Sequence, residues 1–238
     1  MVMPSFDHSQ NYLFRSKVEF DCGLNVDAKT IFDSVILTNE RLATLPFQLW
    51  QAIDLKSTGA IIGAYLSTSI AEMCDGIVNP IEKGHPDVLP KKASNCTEEE
   101  LRKYPEGIEV KGTCGGIKKG VKLDKGQERT KDLTGIVWQA HHREVEKLLG
   151  TVWDFRTIFS TMPSPTILAA FYSEELNIED WGQVSGTTGR NTKVSAMVRS
   201  GKRKMGDGAI CIINEKDCIE KYSKYLDFNH KEFGMKTH

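Results

Sequence analysis

Three side chains suited to splitting a phosphodiester, Asp87, Glu109 and Lys111, lie between His85 and Thr113. The stretch opens His85-Pro86-Asp87-Val88-Leu89-Pro90 and closes Gly107-Ile108-Glu109-Val110-Lys111-Gly112-Thr113, with a polar insert, Lys91 to Glu106, in between. Side chains on an extended strand alternate faces, so Glu109 and Lys111 share one side while Ile108 and Val110 point into the core. Asp87 and Glu109 can hold Mg²⁺, a hard cation that takes oxygen ligands. Lys111 beside it can orient or help deprotonate a water, and the metal acidifies that water and offsets phosphate charge.

Two other acidic-x-Lys triplets, Asp27-Ala28-Lys29 and Asp54-Leu55-Lys56, lack a Pro-Asp upstream and a glycine-bounded apolar strand around them. Asp27-Ala28-Lys29 reads instead as a helix start, with Asp27 near the N-cap of Thr30–Leu37. The bland alternative for Glu109 and Lys111 is an ordinary charge pair on a surface strand. The third triplet is set apart from the other two by its context.

Pro86-Asp87 followed by Glu109-Val110-Lys111 resembles the PD-(D/E)XK nuclease superfamily, and the chain's size and organisation look like those of a bacterial type II restriction endonuclease. The core of the resemblance runs from about Gly59 to Cys114. It implies an α/β, restriction-endonuclease-like fold: a central mixed sheet flanked by helices, with Asp87 and the Glu109/Lys111 strand at one end. It further implies Mg²⁺ on Asp87, Glu109 and the Val110 carbonyl, with Lys111 positioning the water. In this superfamily a helix before the Asp strand often aims a Glu at the metal; Glu72 is the matching position, and a solvated helix-surface Glu is the equal alternative. The activity implied is Mg²⁺-dependent, sequence-specific cleavage of double-stranded DNA. Two alternatives stay open. One is a repair or phage nuclease that nicks or recognises DNA structure; the other is a non-catalytic DNA-binding protein of the same fold.

At 238 residues, 39% apolar and 26% charged, the chain reads as a single domain, 1–238, with a catalytic core at about 59–173 and a DNA-recognition segment at about 182–207. No apolar run approaches membrane-spanning length, and Met1 to Asp7 lack the basic head and apolar stretch of a signal peptide, so a cytoplasmic location is expected. The six cysteines are scattered without zinc spacing. A net charge of −1 does not announce a nucleic-acid binder, so any DNA-binding surface must come from local clustering.

Two segments supply it. Gly115 to Thr130, directly after the Lys111 strand, is glycine-punctuated and carries Lys118, Lys119, Lys122 and Arg129, suited to phosphates; a solvated loop is the alternative. Gly182 to Asp207 carries Arg190, Asn191, Lys193, Arg199, Lys202, Arg203 and Lys204, a donor set for base edges and phosphates, with Val194, Ala196 and Val198 alternating like a strand; a solvated edge hairpin is the alternative. His141 and His142 are neighbours and face opposite sides of a strand, so core or hydrogen-bonding roles are favoured; Asp154, inside an apolar run, carries the same doubt. One Asp/Glu/Lys set per chain makes a C₂ homodimer the simplest way to cut both strands, through Leu42 to Trp50 or Tyr222 to Phe228.

The elements expected to position these residues follow from apolar spacing. Lys29 to Leu45 has helical spacing interrupted near Thr38-Asn39, and Leu49, Trp50 and Ile53 mark a short helix. Gly59 to Val78 reads as an amphipathic helix ending near Gly76. Pro86 to Leu89 is a strand, and Thr97 with Glu100 forms a capping box for a brief helix through Lys103. Thr134–His142, Leu148–Phe155 and Thr166–Tyr172 are strands, Ser173–Trp181 a short helix, and Asn214–Leu226 a helix capped by Asn214.

Overall fold

The structure, a computed structural model, describes residues 8–82, 84–140, 143–184 and 194–229. The chain enters through strand β1 (Tyr12–Phe14) and continues into helices α1 (Ala28–Ala43), α2 (Phe47–Ala52) and α3 (Leu55–Met73). Next come β2 (Gly76–Val78), β3 (Val88–Pro90), α4 (Glu98–Arg102) and β4 (Glu109–Thr113), then β5 (Gly116–Ile117), β6 (Leu133–Gly135) and β7 (Gln139–Ala140). The long strands β8 (Leu148–Arg156) and β9 (Ser164–Ser173) precede β10 (Ser195–Ala196), α5 (Arg199–Asp207), β11 (Ala209–Ile213) and α6 (Lys216–Leu226).

The protein is α/β. Its main sheet is mixed and five-stranded, ordered β1-β11-β9-β8-β4, with β4 parallel to β8 and every other neighbour antiparallel. β8 and β9 are buried at every position, which is why they read as near-continuous apolar runs. Helices cover both faces. Trp153 turns toward Gly59 of α3 and Gly112 of β4, whereas Met205 of α5 and Trp138 press on Gly150 from the other side. α1 packs beside α3, and α6 beside α5. Among the described residues no helix is long and apolar enough to cross a membrane.

Several elements differ from the expectation. α1 is one unbroken helix, because Asn39 has work inside it. Its side chain accepts the Ile167 N–H at 2.7 Å and donates to the Ile167 carbonyl at 3.1 Å and the Tyr12 hydroxyl at 2.9 Å. Ile167 adjoins the bulge where the β8–β9 register skips Leu168, so an amide side chain bonds the backbone of a strand. α3 starts earlier than Gly59, with Asp54 as N-cap accepting the Ser57 N–H, and Gly76–Val78 is a strand rather than its last turn. Both rival triplets therefore begin at helix caps, Asp27 for α1 and Asp54 for α3.

Thr134–His142 is no single strand: β6 pairs with β5, and β7 with β10. Ser173–Trp181 is not a helix from Ser173; β9 runs through Ser173, and a single 3₁₀ turn, Ile178–Asp180, follows with Asn177 as cap. The N-cap position of α6 is Glu215, which makes no side-chain cap bond, not Asn214, whose N–H donates to the Asn11 carbonyl. The basic segment, for which a solvated edge hairpin was the alternative, holds a helix, α5, over Arg199–Asp207. β11 was not anticipated. The capping box of Thr97 and Glu100 is complete.

Candidate active site

Asp87 stands just before β3, in a short ribbon with β2. Asn79 fixes the entry: its N–H donates to the Asp87 carbonyl, and its side-chain amide donates to the carbonyls of Pro86 and Leu101. The ribbon is then laid against β4 by Val88 and Ile108, which exchange both backbone bonds at 3.1 and 2.9 Å. Gly107 permits that approach. Its φ is +132°, and a Cβ there would stand 2.3 Å from the Val88 carbonyl oxygen and 2.7 Å from Pro86.

The result brings the two halves of the motif together. Asp87 Oδ2 accepts the Val110 N–H at 2.7 Å. Lys111 Nζ lies 2.5 Å from Glu109 Oε1 and 3.7 Å from Asp87 Oδ2, so one ammonium is shared by both carboxylates. His85, which the sequence reading passed over, completes the group: its Nδ1 is 3.0 and 3.1 Å from the two Glu109 oxygens. The only sequence signal was a histidine immediately before Pro86-Asp87. A cavity of about 340 Å³ opens beside the cluster, lined by His85, Glu109, Lys103, Tyr104 and Lys147 among others.

Burial sets the electrostatics. The Glu109 side chain is only 4% exposed. Burial pushes its carboxyl upward, but the His85 bond and the Lys111 charge outweigh this and hold it below the usual glutamate range. Burial raises Asp87, and the neighbouring Glu109 charge raises it further, against Lys111 and the Val110 N–H. The two carboxylates are thus pushed in opposite directions, Glu109 toward its charged form and Asp87 toward its neutral one. Burial works against the Lys111 charge, but Asp87 and Glu109 together hold it above the usual lysine range, so it is an ammonium. The Glu109 bond, opposed by burial, likewise raises His85.

Among the described residues no group of three or more His, Cys, Asp or Glu side chains forms a metal cage. Mg²⁺ does not ask for one, since it is commonly held by one or two carboxylates together with waters and phosphate oxygens. The donor set fits such an ion: Asp87 and Glu109 already share a single cation, the Lys111 ammonium. The Glu109 N–H points toward β8, to the Lys147 carbonyl, and the Val110 N–H points to the opposite edge, onto Asp87. Because a residue's N–H and C=O point to the same edge of an extended strand, the Val110 carbonyl also opens on the Asp87 side.

Other expected residues lie elsewhere. Glu72 is half exposed and pairs with Arg41 of α1 at 2.6 Å, because its place on α3 turns it to the neighbouring helix rather than to the cluster. Lys118, Lys119 and Lys122 are exposed on the β5–β6 connection, beyond the end of β4. Arg129 is half buried, its N–H on Asp154 and its guanidinium on the Gly115 carbonyl. Arg199 and Arg203 are exposed on α5, Arg199 paired with Asp227, and Lys202 is partly covered. Lys204 is tied to Asp180 at 2.7 Å and to the Glu175 carbonyl at 2.7 Å, which holds it to the fold. Asp154 is structural: it accepts from the N–H groups of Arg129 and Thr130 and from the Thr130 hydroxyl, and it pairs with Arg156 at 3.0 Å. Arg190, Asn191, Lys193, His141 and His142 lie outside the described residues.

Comparison with family models, with curated proteins and with solved structures gives no match to this chain.

Proposed function

We propose that the chain is a Mg²⁺-dependent endonuclease of the PD-(D/E)XK kind, with a restriction-endonuclease-like fold, that cuts double-stranded DNA at specific sites. One observation carries this reading: Asp87, just before β3, and Glu109 and Lys111 of β4 converge on one point through the Val110 peptide. Asp87, Glu109 and the Val110 carbonyl would hold Mg²⁺, which when bound acidifies a water and offsets phosphate charge.

The chain's own residues do the rest. Lys111, kept protonated by its carboxylate neighbours, donates hydrogen bonds that orient the attacking water and a phosphate oxygen. Glu109 retains its charge through His85 and Lys111. Lys118, Lys119 and Lys122 follow the site strand and suit the phosphate backbone, and Arg199, Lys202 and Arg203 offer a second basic surface on α5. With one acidic set per chain, a C₂ homodimer matches the two-fold symmetry of a palindromic duplex.

The test is a digest of a supercoiled plasmid of known sequence with Mg²⁺, followed by mapping of the ends. Discrete fragments with fixed ends are expected, abolished by EDTA, with Ca²⁺ supporting binding but no cutting. A smear or nicks alone would replace site-specific cleavage with a repair-type activity. Cutting at wild-type rate by Lys111→Ala would overturn the assignment.

A further inference from the structure

We propose that His85 is a positioning residue for metal binding: through Nδ1 it holds the Glu109 carboxylate in the orientation in which Glu109 and Asp87 can share a divalent cation. The inference rests on reading this cluster as a Mg²⁺ site.

Glu109 is almost wholly buried, and a buried carboxylate needs donors to stay charged and to stay put. Among the described residues two side chains meet it, Lys111 and His85. They are not equivalent when a cation arrives. Lys111 sits between Glu109 and Asp87, where a shared cation has the same sign of charge, so the 2.5 Å contact from Lys111 is the one such an ion contests. The bond from His85, which spans both Glu109 oxygens and borders the cavity, then keeps the carboxylate from turning.

His85 is itself held by backbone. Its N–H donates to the Arg102 carbonyl at 3.1 Å, and its carbonyl accepts the Tyr104 N–H at 2.9 Å. Both partners belong to the polar insert, at and just beyond the end of α4, whose start is fixed by the Thr97/Glu100 capping box. The insert therefore has a task that its composition did not suggest: it clamps the histidine that clamps the acid.

The experiment is calorimetric titration of the full chain with Mn²⁺ alone, without DNA, beside thermal unfolding of each variant. Wild type should bind, and Asp87→Ala should bind far more weakly. His85→Ala should weaken affinity about 10–100-fold, the usual effect of removing a hydrogen-bond partner of a metal ligand. His85→Asn, whose amide nitrogen stands where Nδ1 does, should recover most of the loss, and it carries the test if His85→Ala fails to fold. In cleavage assays the same defect should appear as a higher half-saturating Mg²⁺ concentration, largely relieved by excess metal. Equal affinity in wild type and His85→Ala, or no recovery in a folded His85→Asn, overturns the inference and leaves the nuclease reading standing. A loss as complete as that of Asp87→Ala makes His85 a ligand and also overturns it. Absence of Mn²⁺ binding by wild type removes the metal reading itself.

Discussion

The carboxylate of Asp87 accepts the N–H of Val110 at 2.7 Å, which makes the acid at the entry to β3 a hydrogen-bond partner of the residue between Glu109 and Lys111 on β4. Asp87 thus serves as a structural acceptor as well as a candidate ligand, and two substitutions separate the roles. Asp87→Asn keeps an oxygen for Val110 and should unfold close to wild type; Asp87→Ala leaves that N–H without its partner and should lose about 1–3 kcal/mol. Both should reduce Mg²⁺-dependent cleavage by orders of magnitude. Thermal unfolding alongside a plasmid digest distinguishes them.

Gly107 lies where the two halves of the site pack with no room for a side chain. Gly107→Ala puts a methyl against the Val88 carbonyl at a φ of +132°, so backbone must move. The expected cost is about 1–3 kcal/mol of stability. Cleavage measured well below the melting temperature should fall further than the unfolded fraction explains, because the shift parts Asp87 from Glu109. Normal activity in the folded variant would disconnect the glycine from the site.

Asp154, read in sequence as favouring a core or hydrogen-bonding role over a site role, is structural in the fold. Asp154→Ala strips Arg156 of its most buried partner and frees the Arg129–Thr130 turn, and removing one side of a buried pair costs about 3–5 kcal/mol. Whatever folded protein remains should show an unchanged half-saturating Mg²⁺ concentration. Denaturant unfolding and a metal titration of activity give the two numbers.

The basic side chains should divide by exposure. Lys118→Ala, Lys119→Ala and Lys122→Ala should each weaken binding to any duplex and lower the salt slope by about 1. Arg199→Ala and Arg203→Ala should cost about 1–3 kcal/mol on a cognate site if they reach base edges. Lys204→Met should act first on the melting temperature, since it leaves Asp180 buried without its cation. Fluorescence anisotropy across a salt series, with melts of each variant, reads out the division.

Asp180 also sets a pH dependence. It is 2% exposed; burial favours its neutral form, but Lys204, the Ser200 hydroxyl and the Asn177 N–H prevail and hold its carboxyl below the ordinary 3.8. A depressed acid contributes stability that is complete above the unfolded-state value and disappears as pH falls through the folded one. The melting temperature should therefore drop in acid below about pH 4, and Asp180→Asn should flatten that branch while being less stable at pH 7. Calorimetric scans from neutral pH downward provide the measurement.

The carboxylates and the lysine were legible in sequence because a glycine-bounded apolar strand fixes the faces of Glu109 and Lys111 by alternation alone. His85 was not, since its bond to Glu109 depends on backbone contacts with a separate insert. Asn39 looked like a helix break, as an isolated amide does; only the strand beside it shows why it is buried. α5 did not read as a helix because its buried stripe is narrow, just Gly201, Met205 and Gly206 among basic neighbours. β11 is five apolar residues in a row, a length that periodicity cannot classify. Thr134–His142 reads as continuous, yet Trp138 turns its indole N–H to the Thr151 carbonyl over the main sheet, and the segment divides around it.

β4 is an outer strand of the main sheet, and its free edge is the kind of surface on which a second chain can add itself as a further strand. Val88 covers that edge at Ile108, and one step further along the Val110 N–H is occupied by Asp87, with the Lys111 charge beside it. The side chains assigned to chemistry therefore also keep the sheet from growing. Replacing Asp87 with an apolar residue opens a template for edge-to-edge aggregation at the spot where the acid was removed, so poor solubility in such a variant reports an uncovered strand rather than a misfolded core.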